Sequence, residues 1–305
     1  LLLKQVHQMN RHHDLSTLIA RYAVSDGIHP TRVPRLSVVR MSRPTDPVHG
    51  VHKPAICLIA QGRKQVIVGE ELFEYGASQH LLVSMDLPVI GRVIAASEAE
   101  PYLCVRLELD LEAFADMVLK TAPPPAEAGL GVAISQTSPE LLDAATRLLR
   151  LHETPEDAGE LAPLIEREIL YRLLKGDQAA LIRRMLEPQN RHRHVGRAIS
   201  WIKENYARPF SIEEVASVSG MSASTLHLRF REATAMSPLQ YQKQLRLQEA
   251  RRLILSQAID AASAGHTVGY DSPSQFSREY KRLFGAPPQR DIDRLRTEPQ
   301  RYADA

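Results

Sequence analysis

The sequence predicts an α+β chain in two parts: a β-barrel or sandwich followed by helices, then an all-α part built from two helix-turn-helix units. Three observations predict it. Seven short β-branched or apolar runs crowd residues 36–109, separated by Gly and Pro. Beyond them the apolar period lengthens to that of amphipathic helices. In the last third, one pattern of short helix, glycine turn, serine cap and second helix occurs twice.

The strand runs are Leu36–Arg43, Ala55–Ala60, Lys64–Val68, Glu71–Tyr75, His80–Ser84, Val89–Ala95 and Tyr102–Leu109. Gln61-Gly62, Gly69, Gly76 and the stretch Asp86–Pro88 punctuate them. Many short strands at close spacing indicate a closed or two-layered β architecture, here bounded at 33–110. Leu111–Lys120 then reads as a helix, and Pro123–Pro125 breaks the chain. Pro139–His152, capped by Ser138, Pro163–Lys175 and Gln178–Leu186 follow as amphipathic helices, completing a first part over 1–187. Leu164, Ile165, Ile169, Leu170, Leu173 and Leu174 form a stripe with two readings: internal packing, or the seam of a homodimer. The polar, basic segment 188–194 reads as a linker.

Residues 195–296 read as helical, with a tail at 297–305. After Val195–Tyr206, Ser211 and Glu214 form a capping box for Ile212–Ser219. Gly220 makes the turn, and Ser222 caps Ala223–Ala233. Leu226 and Phe230 lie four apart and face inward, leaving Ser224, His227, Leu228 and Arg231 outside. A long helix, Leu239–Ser256, sets Arg246, Arg251 and Arg252 against an apolar face, so a basic face is expected there. The pattern then recurs: Ile259–Gly265, a turn at Gly269-Tyr270, and Ser272 capping Pro273–Phe284, with Phe276, Tyr280 and Leu283 inside.

Bulk composition bounds the function. Net charge is +2, but residues 195–305 hold 16 Lys/Arg against 12 Asp/Glu, so the basic excess sits in the C-terminal part. No apolar run reaches the roughly 18–20 residues that span a membrane. Leu1–Leu3 is followed at once by Lys4 and His7, which is not the layout of an export signal, so a cytoplasmic location is expected. The sequence does not open with Met. Two cysteines, Cys57 and Cys104, make neither a disulfide framework nor a zinc finger. His49, His52 and His80 lack the His-x-His spacing of a metal site, and no cofactor is expected. Cys57 has two readings, a small apolar core residue or a sensing thiol that meets an electrophile such as an aldehyde.

The strings PFSIEEVASVSGMSASTLHLRFREATAMSPLQYQKQLRLQEARRLIL and VGYDSPSQFSREYKRLFGAPP resemble the DNA-binding domain of AraC/XylS-type regulators. The upstream string ICLIAQGRKQVIVGEELFEYGASQHLLVSMDLPVIGRV resembles the N-terminal domain of one branch of that family, similar to a cupin-like barrel. The resemblance implies a sequence-specific transcription regulator rather than an enzyme, an activator by the family's common type with repression left open, that acts on double-stranded promoter DNA. It implies a small-molecule effector at the N-terminal domain, a homodimer, and RNA polymerase as a further partner. A ligand-independent regulator and a metal-dependent cupin enzyme stay open as alternatives.

Each outward helix would enter a major groove, the pair about one DNA turn (roughly 34 Å) apart. Candidate contacts on the first are Ser222, Ser224, Thr225, His227, Leu228 and Arg231; on the second, Ser272, Pro273, Ser274, Gln275, Arg278, Lys281 and Arg282. Arg278 suits bidentate pairing to guanine, and Arg231, Lys281 and Arg282 suit phosphates. Many family members carry Arg where this chain has Leu228, so the first reader is expected to read more weakly, by a thymine methyl or through DNA shape. Gly265 stands where alanine is common, so its short helix is expected to be soft.

Overall fold

The computed structural model describes residues 14–110, 117, 129–186, 191–257 and 259–297. Ten antiparallel strands form two sheets: β1 (Gly27–Pro30), β2 (Leu36–Met41), β3 (Val48–His52), β4 (Ala55–Gln61), β5 (Arg63–Val68), β6 (Glu71–Gly76), β7 (Gln79–Val83), β8 (Leu87–Ala95), β9 (Tyr102–Glu108) and β10 (Val132–Gln136). One sheet has the order β1-β2-β9-β4-β7-β10 and the other β3-β8-β5-β6. Strand period explains their stacking. In the six-stranded sheet Val39, Met41, Cys57, Ile59, Leu81, Tyr102 and Cys104 face the second sheet. Their alternates Val38, Ile56, Leu58, Leu82, Leu103, Val105 and Leu107 face helices. Strand β4 is therefore covered on both faces, which is why AICLIA is continuously apolar. At the β4–β5 corner Gly62 takes a positive φ of 83°, and a Cβ there would lie 2.7 Å from the Ala95 carbonyl oxygen.

Each of the seven predicted strand runs forms a strand, with ends shifted by up to two residues. Three strands carry no run, β1 (GIHP), β3 (VHGVH) and β10 (VAISQ). The sheet thus extends beyond 33–110 at both ends. β1 pairs along an edge with β2, and β10 reaches back across the chain to β7, which local pattern does not encode.

Helices α1 (14–22), α2 (Pro139–Arg150), α3 (Pro155–Lys175) and α4 (Ala179–Leu186) cover the outer face of the six-stranded sheet. The Ser138 side chain accepts from the Leu141 amide, as the sequence predicts. The helix expected from Pro163 begins instead at Pro155 and carries Pro163 inside it. Both prolines suit a first turn, and Pro155 takes that place. The apolar stripe divides: Ile169, Leu170, Leu173 and Leu174 are buried, while Leu164 is 65% exposed. The helix expected at Leu111–Lys120 lies outside the described residues apart from Met117.

The C-terminal part comprises α5 (Arg191–Asn205), α6 (Ile212–Ser219), α7 (Ala223–Thr234), α8 (Pro238–Gln257), α9 (Ala261–Thr267), α10 (Pro273–Phe284) and α11 (Pro288–Thr297). Residues 191–194 of the segment read as a linker are the first turn of α5. Helix α9 starts two residues later than expected, because the Asp260 carboxylate accepts from the amides of Ala262 and Ser263.

The expected basic face of α8 is corrected. Arg251 is buried; its guanidinium grips both oxygens of Asp291 at 2.8 and 3.0 Å and stacks on Phe284. The Tyr280 hydroxyl donates to the same carboxylate at 2.9 Å. Arg252 pairs with Glu249 on its own helix. A buried pair is held by geometry, and removing one partner strands the other, at a cost of about 3–5 kcal/mol. Asp291→Ala is therefore expected to lower the thermal midpoint of unfolding sharply. Replacing the pair together, Arg251→Met with Asp291→Leu, is expected to recover most of the loss. Equal midpoints for wild type and Asp291→Ala would show the pair to be dispensable.

Candidate nucleic-acid interface

Local chemistry builds the first helix pair. The Ser211 hydroxyl accepts from the Glu214 amide, and the Glu214 carboxylate accepts from the Ser211 amide, closing both ends of a capping box. Gly220 then turns the chain at φ 69°. The Ser222 hydroxyl takes the Thr225 amide at 3.2 Å and donates to the Thr225 hydroxyl at 2.8 Å, starting α7. Leu226 and Phe230 are fully buried, and small Ala216 lets α6 approach. Ser222, Ser224, Thr225, His227, Leu228 and Arg231 are all exposed on the opposite side.

The second pair repeats this with different residues. The Ser272 hydroxyl accepts from the Gln275 amide and starts α10, with Pro273 in its first turn. Phe276 and Tyr280 are buried. Pro273, Ser274, Gln275, Arg278, Lys281 and Arg282 are exposed, and Ser272 is half-buried. Counted from the caps, Ser224 matches Ser274, Leu228 matches Arg278 and Arg231 matches Lys281. The Gln275 side chain donates to Glu279, which also accepts from the Tyr270 hydroxyl. Gly265 proves to be a packing residue: a Cβ there would lie 3.0 Å from the Phe276 ring, so glycine lets α10 seat on α9.

Helix α8 fixes the two pairs against each other. Arg246 donates from Nε to the Tyr206 carbonyl at 2.6 Å and from Nη1 to the Gly269 carbonyl at 2.9 Å. The Gln242 side chain donates to the carbonyls of Tyr206 and Arg208. Gly269 itself, at φ 91°, sits so close that a Cβ would meet the Ala207 carbonyl oxygen at 1.8 Å. One arginine thus joins the end of α5 to the turn of the second pair. Sequence reading gave Arg246 to a solvated basic face, since nothing local announces carbonyls 40 residues upstream.

Charge follows the same division. Arg231, Arg278, Lys281 and Arg282 are exposed and make no ion pair among the described residues. The cations of the scaffold are engaged, Lys203 by Asp86, Arg229 by Glu232, Lys243 by Glu279 and Arg251 by Asp291. Free positive charge beside exposed helix starts suits phosphate oxygens.

The barrel contacts the back of this assembly. The Tyr241 hydroxyl donates to the Asp86 carbonyl at 2.8 Å, and the Gly131 amide donates to the Ala233 carbonyl at 2.8 Å, at the end of α7. At the second pair the contacts are the His49 ring edge-on to Phe284, Gln248 to the Gly50 carbonyl, and Arg294 to Asp46 at 3.6 Å. Burial, with Arg251 nearby, draws the His49 pKa down to about 4, so its ring is neutral at pH 7.

The remaining sequence candidates are dispersed. His52 lies between the sheets, its pKa held well down by burial and by Lys64 and Arg106. His80 is buried against Thr137. No three His, Cys, Asp or Glu side chains gather as metal ligands among the described residues. Cys57 is buried and shares a hydrogen bond with Cys104, and that bond together with burial pushes the Cys104 thiol well up. A reactive cysteine needs access, and both thiols of this pair are buried.

Comparison with known proteins agrees with the geometry. Residues 32–181 match the AraC-type transcriptional regulator N-terminus, and residues 215–294 match a helix-turn-helix domain. The chain belongs to the AraC-type transcriptional regulators. It is 26% identical over 155 residues to the HTH-type transcriptional activator RhaS of Escherichia coli, covering 50% of this chain and 54% of that one. The RhaS protein of Salmonella schwarzengrund is 28% identical over the same length. Such matches span only 31% to 54% of the curated relatives. Among solved structures, ToxT from Vibrio cholerae O395 aligns with a TM-score of 0.56 at 12% identity, covering 85% of this chain and 97% of that one. ToxT bound to (E)-4-(8-methylnaphthalen-1-yl)but-3-enoic acid aligns at 0.58 and 12% identity, covering 85% and 98%. At that identity the likeness shows a shared fold for this AraC-type chain.

Proposed function

We propose that this AraC-type regulator binds double-stranded promoter DNA through α7 and α10 and controls transcription in response to a small molecule at its N-terminal domain. One observation carries the DNA reading: two serine-capped helices, joined by a long helix, each expose a polar face with cations that make no ion pair among the described residues. On that reading the two helices enter successive major grooves. Arg278 reads guanine, while Arg231, Lys281 and Arg282 hold phosphates. Arg278→Ala is expected to weaken specific binding by about 10- to 100-fold, the worth of a bidentate base contact, with little change in non-specific binding at matched salt. If both fall equally, Arg278 is a phosphate contact.

The small-molecule part rests on architecture. ToxT, which shares the fold, has been solved with an unsaturated fatty acid and with a naphthalenyl butenoic acid. An electrophile acting at Cys57 has no support from the buried thiol pair. A panel of organic acids and neutral metabolites is expected to include compounds that raise the thermal midpoint and also change operator affinity. Compounds that bind with no effect on operator affinity would favour a ligand-independent regulator.

We also propose a homodimer through α3. Leu161, Leu164 and Tyr171 are 43%, 65% and 50% exposed and lie on one helical face. Beside them a groove of about 480 Å³ is lined by Met117, Arg167, Glu168, Tyr171, Lys175 and Arg183 among others. Both charge signs flank this apolar face, which suits a second copy set antiparallel. Leu164→Glu with Tyr171→Glu is expected to give a monomer by sedimentation velocity with an unchanged thermal midpoint. A wild type that stays monomeric at micromolar concentration, with and without DNA, would remove this interface.

A further inference from the structure

We infer that the two readers recognise chemically different bases, and that Leu228 selects thymine by its 5-methyl group. The inference rests on the DNA-binding reading above and adds a specificity to it. Counted from the capping serines, Leu228 and Arg278 hold the same place, six residues into the motif, on helices of identical length. Both lie on the exposed side, two residues from buried positions on either hand: Leu226 and Phe230 in one, Phe276 and Tyr280 in the other. The two helix pairs therefore present one groove-facing position with opposite chemistry.

Leu228 is 57% exposed and belongs to no apolar cluster among the described residues, so little of the protein's stability rests on its side chain. Around it lie Ser224 one turn before, Thr225 three residues before and, three residues after, Arg231, which makes no ion pair among the described residues. An isolated leucine on a polar, cationic face calls for an apolar group on the surface that face meets. In the major groove the one such group on a base edge is the C5-methyl of thymine. Cytosine offers an amino group there, and guanine offers two acceptors. A leucine laid over those groups strips their water and returns no hydrogen bond, so it discriminates against them as well as for the methyl. The Ser222 hydroxyl is engaged within its own helix, where it donates to the Thr225 hydroxyl. Arg278, at the matching place, carries the forked donors that fit guanine.

The test starts from a duplex selected out of random sequence with the full-length protein. Each thymine of the selected site is replaced singly by deoxyuridine, which removes only the methyl group. Wild-type affinity is expected to fall roughly three- to fivefold, the worth of one buried methyl, at one thymine in each protomer's half-site. The Leu228→Ala protein is expected to show no loss at that position, and Leu228→Arg to prefer guanine there. Because Leu228 is exposed, both variants are expected to keep the wild-type thermal midpoint. The inference is overturned if no single methyl matters, or if the same methyl still matters to Leu228→Ala. Selection that yields no duplex above non-specific background would instead overturn the DNA-binding reading on which it rests.

Discussion

The junction at Arg246 governs everything the C-terminal part can do. Its guanidinium spans from the end of α5 to the turn of the second helix pair, and Gly269 meets Ala207 with no room for a side chain. Two helical units that touched only through a long helix would swing about it. A half-buried, forked cation between backbone carbonyls fixes an angle as well as a distance, because its donors have a rigid planar arrangement. The orientation of the two exposed helix faces thus depends strongly on one side chain and one missing Cβ, with Gln242 adding two bonds to the same run of carbonyls. Neither faces the proposed DNA.

Around that junction the molecule separates cations by task. Arginines with carboxylate or carbonyl partners hold elements together, as Arg251 does with Asp291 and Arg246 with Tyr206. Arginines and lysines on the outward faces of α7 and α10 lack such partners among the described residues. A net charge of +2 says almost nothing about this arrangement. Placement carries the information, since exposed charge interacts at a range set by salt while the inner pairs are shielded from it.

What the sequence disclosed was what local chemistry encodes. The caps at Ser138, Ser211, Ser222 and Ser272 and the turns at Gly220 and Gly269 stand where the sequence places them, because a cap hydroxyl and a positive φ depend on neighbours within a few residues. The inward stripes Leu226/Phe230 and Phe276/Tyr280 were legible from helical spacing. Strand β10 was not, because its partner β7 lies about 50 residues upstream and VAISQ has no apolar alternation. Arg251 read as surface charge because Asp291 is 40 positions away. Gly265 read as a weak point because the Phe276 ring that fills its missing side chain comes from the next helix. The roles proposed for the reader residues were legible as positions on a helix face; their contacts with bases belong to the complex.

The bond from the Gly131 amide to the Ala233 carbonyl has a mechanical consequence. It joins the lead-in to β10 with the last turn of α7, inside one apolar cluster that runs from Met85 and Val132 of the barrel to Phe230 and Met236. The second helix pair has a cluster of its own, with Phe276, Tyr280 and Ile292, and meets the barrel through polar and edge contacts. The first helix pair is therefore anchored to the barrel by apolar packing, and a change in the barrel would reach the second pair chiefly through the first and the Arg246 junction.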